Sequence, residues 1–258
     1  MADELISLIE SRLDRQKFQD HHWSGSFWDY LAIVQQNPMV LRNAYQRAYD
    51  AIMAHGSEKY RLFKKDCVRY HFFSDPFESG SDAIYGLDFA LMQLVDFFRS
   101  AAEGYGTDRR VLLLHGPVGS SKSTMARLLK KGLEAYSRTP DGALYSFSWM
   151  LDEHCGVSSA GGATRQAAAT HEFPCPMHEE PLILVPREAR DALLAKINEK
   201  YKPQHHGGRL RVYGEPDPFC RKIFEDLMAF YQGDWRQVMN HVKVRDRKST
   251  RLNSSHLV

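Results

Sequence analysis

Nowhere in the 258-residue chain is there a run of about 18 apolar residues, so no segment reads as a membrane-spanning helix. Charge of one sign is also missing: 34 Lys and Arg face 32 Asp and Glu, a formal +2, so no global field draws the chain to nucleic acid or to a membrane surface. Cysteine is sparse. Cys67, Cys155, Cys175 and Cys220 are scattered through a chain without an export signal, and they read as reduced thiols or ligands instead of a disulfide framework. Residues 1–18 alternate Leu5, Ile6, Leu8, Ile9 and Leu13 with acids and bases, which predicts an amphipathic helix and not a signal peptide. No internal repeat is found. What remains, 43% hydrophobic and 12% aromatic residues, is the composition of a folded protein with one large core or two modest ones.

Periodicity predicts a helical leader over residues 1–75, in which Asn37 and Pro38 start a helix that carries Leu41, Tyr45, Ala48 and Ile52 on one face and stops at Gly56. A second helix is expected over 87–102, with Leu91, Leu94, Val95 and Phe98 together, ahead of Gly104 and Gly106. The run 111–114, Val-Leu-Leu-Leu, is too short for a helix and too uniformly apolar for a half-exposed strand. It reads as a strand buried on both faces of a parallel sheet. A helix over 122–136 with Met125, Leu128, Leu129 and Leu133 inward, then a strand over 143–149, completes a strand–loop–helix–strand unit of an α/β fold, with a right-handed crossover in one sheet. Residues 156–170 read as a loop or insertion, 182–185 as a short strand and 186–201 as a helix. Asp217 and Pro218 start a last helix using Phe219, Ile223, Phe224, Leu227 and Met228.

Between the first strand and its helix lies Gly116-Pro117-Val118-Gly119-Ser120-Ser121-Lys122-Ser123-Thr124. It matches the phosphate-loop pattern G-x-x-x-x-G-K-[ST] at every fixed position except Ser121, which stands where the second glycine belongs. Such a loop turns successive backbone N–H groups to one point, and the helix dipole adds positive potential there, so a polyphosphate is held. Lys122 is expected on the β- and γ-phosphates, the Ser123 hydroxyl on Mg²⁺, and Thr124 near the α-phosphate through its backbone. The ligand implied is MgATP.

Four segments, 26–31 (Ser-Phe-Trp-Asp-Tyr-Leu), 81–88 (Ser-Asp-Ala-Ile-Tyr-Gly-Leu-Asp), the phosphate loop with its helix, and 175–182 (Cys-Pro-Met-His-Glu-Glu-Pro-Leu), resemble the PrkA family of bacterial serine protein kinases. The resemblance implies an N-terminal AAA-type P-loop ATPase domain over 76–245, with an insertion near 150–180. It implies a cytoplasmic enzyme that transfers the ATP γ-phosphate to protein serine. Ala83, Ile84, Tyr85 and Gly86 would line the adenine pocket; a turn capping the next helix is the other reading. The alternative function is a mechanical AAA ATPase in proteolysis or remodelling, and a hexameric ring is an analogy with AAA proteins. There is no H-R-D loop and no D-F-G, so phosphotransfer would have to use P-loop machinery. Asp152-Glu153 is the nearest candidate acid pair, against a solvated strand end. The resemblance stops near Arg245, and residues 246–258 have no periodicity, which predicts either a non-native end on a truncated chain or a disordered tail.

Cys175-x-x-His178 and Asp217-x-x-Cys220 have the spacing of paired zinc ligands. His154 and Cys155 offer a competing pair. Cys220 can equally be an apolar helix residue and His178 a surface one.

Overall fold

The structure, a computed structural model, describes residues 23–62, 64–152, 170–201 and 208–247. In chain order its elements are β1 (Ser24–Ser26), α1 (Phe27–Gln36), α2 (Ala44–Met53), β2 (Ser57–Leu62), β3 (Lys65–Tyr70), α3 (Asp88–Glu103), α4 (Lys122–Ser137), β4 (Tyr145–Leu151), β5 (His171–Pro174), α5 (Arg187–Lys200), α6 (Pro218–Phe230), α7 (Trp235–Met239) and β6 (Val242–Asp246). The expected helix over 1–18, the loop over 156–169 and the tail from 248 lie outside the described residues.

The chain divides into two compact units, one of Met1–Asn37, Ala143–Asp191 and Val212–Val258, the other of Pro38–Gly142 and Ala192–Arg211. The first is built on a sheet of order β1-β6-β4-β5 in which every pairing is antiparallel. Along β4, Phe147, Trp149 and Leu151 alternate with Ser146 and Ser148, and all five are buried. Small hydroxyl residues on the second face let a neighbour pack closely. Ser26 starts α1 with a capping box closed by Asp29, and the buried Phe27, Tyr30 and Val34 follow at helical spacing. Phe27 meets Trp235 edge to face, with centroids 5.7 Å apart, and Phe147 meets Trp149 in the same way at 5.9 Å.

The second unit packs α2, α3 and α4 around Tyr49, Ile52, Phe72, Phe73, Ile84, Leu91, Leu94, Val95, Met125 and Leu128, beside the β2–β3 hairpin. The start of α2 differs from the sequence expectation. Asn37 ends α1, Pro38 opens a 3-10 turn (Pro38–Leu41), and Asn43 is the cap. The Asn43 side chain accepts from the Gln46 N–H at 2.9 Å while the Gln46 side chain accepts from the Asn43 N–H at 3.0 Å. That reciprocal pair satisfies two donors that Pro38 could not. The helices α3 and α4 run as expected, and Gly104 ends α3 in the left-handed conformation. Leu133 is the exception on α4, 36% exposed.

The parallel unit expected from the sequence is not formed among the described residues. Residues 111–116 carry no strand pairing, and Val111, Leu112 and Leu113 are exposed at 93%, 40% and 79%. The predicted partner, β4, has both edges occupied, by β5 and β6. A strand exists only where neighbours take its N–H and C=O groups, so an apolar run without a neighbour stays irregular. Residues 182–185 are likewise not a strand: Pro181 opens a 3-10 turn, Pro181–Leu184, whose four residues are all buried. Local apolarity there signals burial, with the proline setting the turn.

Candidate functional site

The loop 116–124 belongs to the second unit and ends in the first turn of α4. Gly119 (φ 82°) and Ser121 (φ 55°) are both left-handed, so the chain reverses tightly twice before the helix begins. At Gly116 a Cβ would stand 2.7 Å from Ser120 Oγ, which is closer than a side chain tolerates. Ser121 is the helix N-cap, and its side chain makes no capping bond. The first-turn N–H groups of α4 therefore lack a side-chain acceptor, at the end of the helix where the dipole is positive. Lys122, the first helical residue, folds its ammonium back on the loop and donates to Gly116 O at 2.9 Å, Pro117 O at 2.7 Å and Ser120 Oγ at 2.9 Å. Ser120 Oγ also donates to Pro117 O at 2.8 Å. Ser123 is exposed, Thr124 is half-buried, and Val118 projects fully into solvent. The result is an electropositive, uncapped helix start fronted by a loop with two left-handed residues, which is suited to a polyanion.

The 83–86 segment is held near this helix by residues that motif reading passed over. Asp82 accepts from Arg127 at 2.7 and 3.0 Å and from Lys131 at 2.7 Å, both on α4, and Lys131 also reaches Glu78 at 2.7 Å. Hydrogen bonds from Arg127 and then Lys131 hold the Asp82 carboxyl down to about 2. Asp75 closes the turn from inside, accepting from the Asp82 N–H at 3.0 Å and from Ser81 Oγ at 3.2 Å. Beyond it, Ile84 is buried in the same cluster as Met125 of α4, and its N–H donates to Phe73 O at 2.9 Å. Ala83 is half-buried, Gly86 is left-handed (φ 74°) and the Tyr85 ring is 82% exposed. The sequence signal for this anchoring was the i, i+4 spacing of Arg127 and Lys131, which puts two cations on one face of α4.

The remaining candidates lie in the other unit. Asp152 follows the end of β4 and is exposed, and Glu153, His154 and Cys155 lie outside the described residues. Cys175, Asp217 and Cys220 come together, their ligand atoms all within 4.8 Å of one another, while His178 is exposed and stands outside that group.

The class follows from the family match: an AAA-type ATP-binding module. Residues 25–240 match the PrkA AAA domain, and the chain belongs to that family. It is 33% identical over 208 residues to a Bacillus subtilis protein named ATP-dependent protease PrkA, covering 76% of this chain and 27% of that protein. It is 30% identical over 110 residues to an Escherichia coli K12 protein named Serine/threonine kinase YeaG, covering 40% of this chain and 16% of that one. The chain thus spans about a quarter or less of these two relatives. No solved structure matches it significantly. Membership brings ATP to the domain, typically with Mg²⁺, and the uncapped start of α4 with its positive-φ loop fits a nucleotide triphosphate. Among the described residues no helix is long and apolar enough to cross a membrane.

Proposed function

We propose that the 116–124 loop binds the triphosphate of MgATP and that the chain is the ATP-binding module of a PrkA-type enzyme acting on proteins. The observation that carries this is the lysine at the mouth of an uncapped helix: Lys122 lies on two loop carbonyls and a hydroxyl, neutral acceptors that anionic phosphate oxygens out-compete. In this reading the backbone N–H groups around Gly119, Ser120 and Ser121 cradle the phosphates, Lys122 neutralises the terminal ones and Ser123 holds Mg²⁺. Pro117 and Val118 form the loop's outer turn, and Thr124 meets the α-phosphate. Ala83, Ile84, Tyr85 and Gly86 receive the base, with the exposed Tyr85 ring offering a face for stacking. ATP supplies a γ-phosphoryl group whose transfer or hydrolysis drives the work.

Two uses of that group are supported by different relatives. The Escherichia coli name, a serine/threonine kinase, favours phosphoryl transfer, which the family resemblance implies goes to protein serine. The Bacillus subtilis name, from a match covering more of this chain, favours ATP turnover coupled to proteolysis. ATP labelled at the γ-phosphate, incubated with a full-length relative and casein, separates them. Label on serine supports the kinase; free phosphate with casein fragments supports the protease. Label in neither place, with Lys122→Ala binding ATP as well as the wild type, overturns the assignment.

A further inference from the structure

Cys175 sits directly after β5, its N–H bonded to Phe147 O at 3.0 Å, so the sheet fixes where its sulfur points. Asp217 caps α6, 42 positions later, and Cys220 is on the first turn of that helix. Both thiols are fully buried. Cys175 Sγ lies 3.5 Å from Asp217 Oδ2 and 3.8 Å from Glu179 Oε2. With Zn–S near 2.3 Å and Zn–O near 2.1 Å, tetrahedral coordination puts sulfur and oxygen about 3.6 Å apart. The 3.5 Å between Cys175 Sγ and Asp217 Oδ2 is an edge of that tetrahedron.

We propose that Cys175, Cys220 and Asp217, whose ligand atoms lie within 4.8 Å of one another, hold a Zn²⁺ ion that ties the turn after β5 to the start of α6. The surroundings already orient the donors. Asp217 spends Oδ1 on the N–H groups of Phe219 (2.9 Å) and Cys220 (3.3 Å), which leaves Oδ2 facing the sulfur. The Glu179 N–H donates to Cys175 Sγ at 3.4 Å, the kind of bond that settles a thiolate. Glu179 Oε2 is itself held by the Asp217 N–H at 3.0 Å. Trp149 supplies an independent pointer. Its indole is completely buried in the same unit and Nε1 has no hydrogen-bond partner. A buried donor left without an acceptor is costly.

A divalent ion offsets most of the charge of two thiolates and one carboxylate, and the positive end of α6 takes up part of the remainder. Thiolate with carboxylate suits Zn²⁺ better than Mg²⁺ or Ca²⁺, which prefer oxygen alone. This site differs from the sequence expectation in one ligand: His178 is exposed and stands outside the group.

The test is metal analysis of the full chain purified from zinc-supplemented cells, with Co²⁺ added to the chelator-stripped protein as a spectroscopic probe. The expected result is about one zinc per chain, a thiolate-to-cobalt charge-transfer band, and a fall in melting temperature on stripping. Asp217→Asn, which keeps the cap acceptor, should still fold and bind zinc at least tenfold more weakly, while His178→Ala should retain it. Folded wild type without zinc and without the cobalt band, or an oxidised chain two mass units lighter with a Cys175–Cys220 disulfide, overturns the site.

Discussion

Two segments of this chain, residues 111–114 and β4, both read as strands in sequence and have opposite fates. Tyr145–Leu151 is paired on both edges and buried on both faces, whereas Val111, Leu112 and Leu113 stand exposed with no ladder. Intrinsic preference leans towards β4, whose Tyr145, Phe147 and Trp149 favour strands, but Val111 shares that preference and stays unpaired. The difference is partners. β4 receives β6 from almost 100 residues downstream, and Phe147 pairs with Val244. A strand is therefore a property of the sheet that accepts it, while the phosphate loop, whose conformation rests on local bonds, forms beside an unpaired run.

The sharpest way to break this comparison is to cut into each run. Trp149→Ala removes a fully buried indole and should lower unfolding stability by roughly 3–5 kcal/mol in denaturant titration. Leu113→Ser, at a site 79% exposed, should change it by less than about 0.5 kcal/mol. A large loss from Leu113→Ser would mean that the run is paired and the contrast false.

A second cut tests whether the loop functions without a flanking strand. Lys122→Ala should weaken ATP binding by roughly ten- to a hundredfold, the worth of about 1.5–3 kcal/mol for a hydrogen-bonded charge. Ser123→Ala should weaken MgATP more than metal-free ATP, because only the metal ligand is lost. Calorimetry with and without Mg²⁺ reads both. Equal weakening in both conditions would remove Ser123 from the metal.

What was legible follows the same division. The helices α3, α4 and α6 were readable because an apolar stripe at helical spacing lies within one segment, and Asp217-Pro218 marks the start of α6. The loop motif was readable for the same local reason. The antiparallel sheet was not, because β1 has three residues and β6 five, and their pairing joins positions about 220 apart. The clustering of Cys175 with Cys220 was visible only as two short spacings. His178 fits a ligand spacing in the sequence that the left-handed turn at His178 (φ 51°) does not honour.

Titration of the β4 unit gives a further contrast with the exposed loop. Burial pushes the Glu180 carboxyl up to about 8, and the Tyr30 hydroxyl donates to it. A carboxyl raised in the folded state binds its proton more tightly there than in the unfolded chain. Its contribution is therefore fully present below about 4.5 and is lost as pH rises to about 8. Stability should decline across that window, and Glu180→Gln, neutral at every pH, should flatten the slope. Parallel wild-type and variant profiles would show that the carboxyl does not titrate in this way.

The smallest expected effect lies inside the loop. Ser121 occupies a left-handed conformation (φ 55°) that costs a residue with a Cβ about 1 kcal/mol and costs glycine almost nothing. Its side chain makes no cap bond, so removing it forfeits nothing that the helix start uses. Ser121→Gly should therefore relieve strain, with about 0.5–1 kcal/mol of the gain offset by glycine's greater freedom in the unfolded chain. The net change in stability should lie within about 0.5 kcal/mol, while ATP affinity holds or rises because the backbone can close more readily on phosphate. Ser121→Val, β-branched at positive φ, should lower both stability and affinity. If the glycine variant bound ATP markedly more weakly than the wild type, the Ser121 hydroxyl would itself be a phosphate ligand, and the loop would owe its grip to a side chain as well as to its backbone.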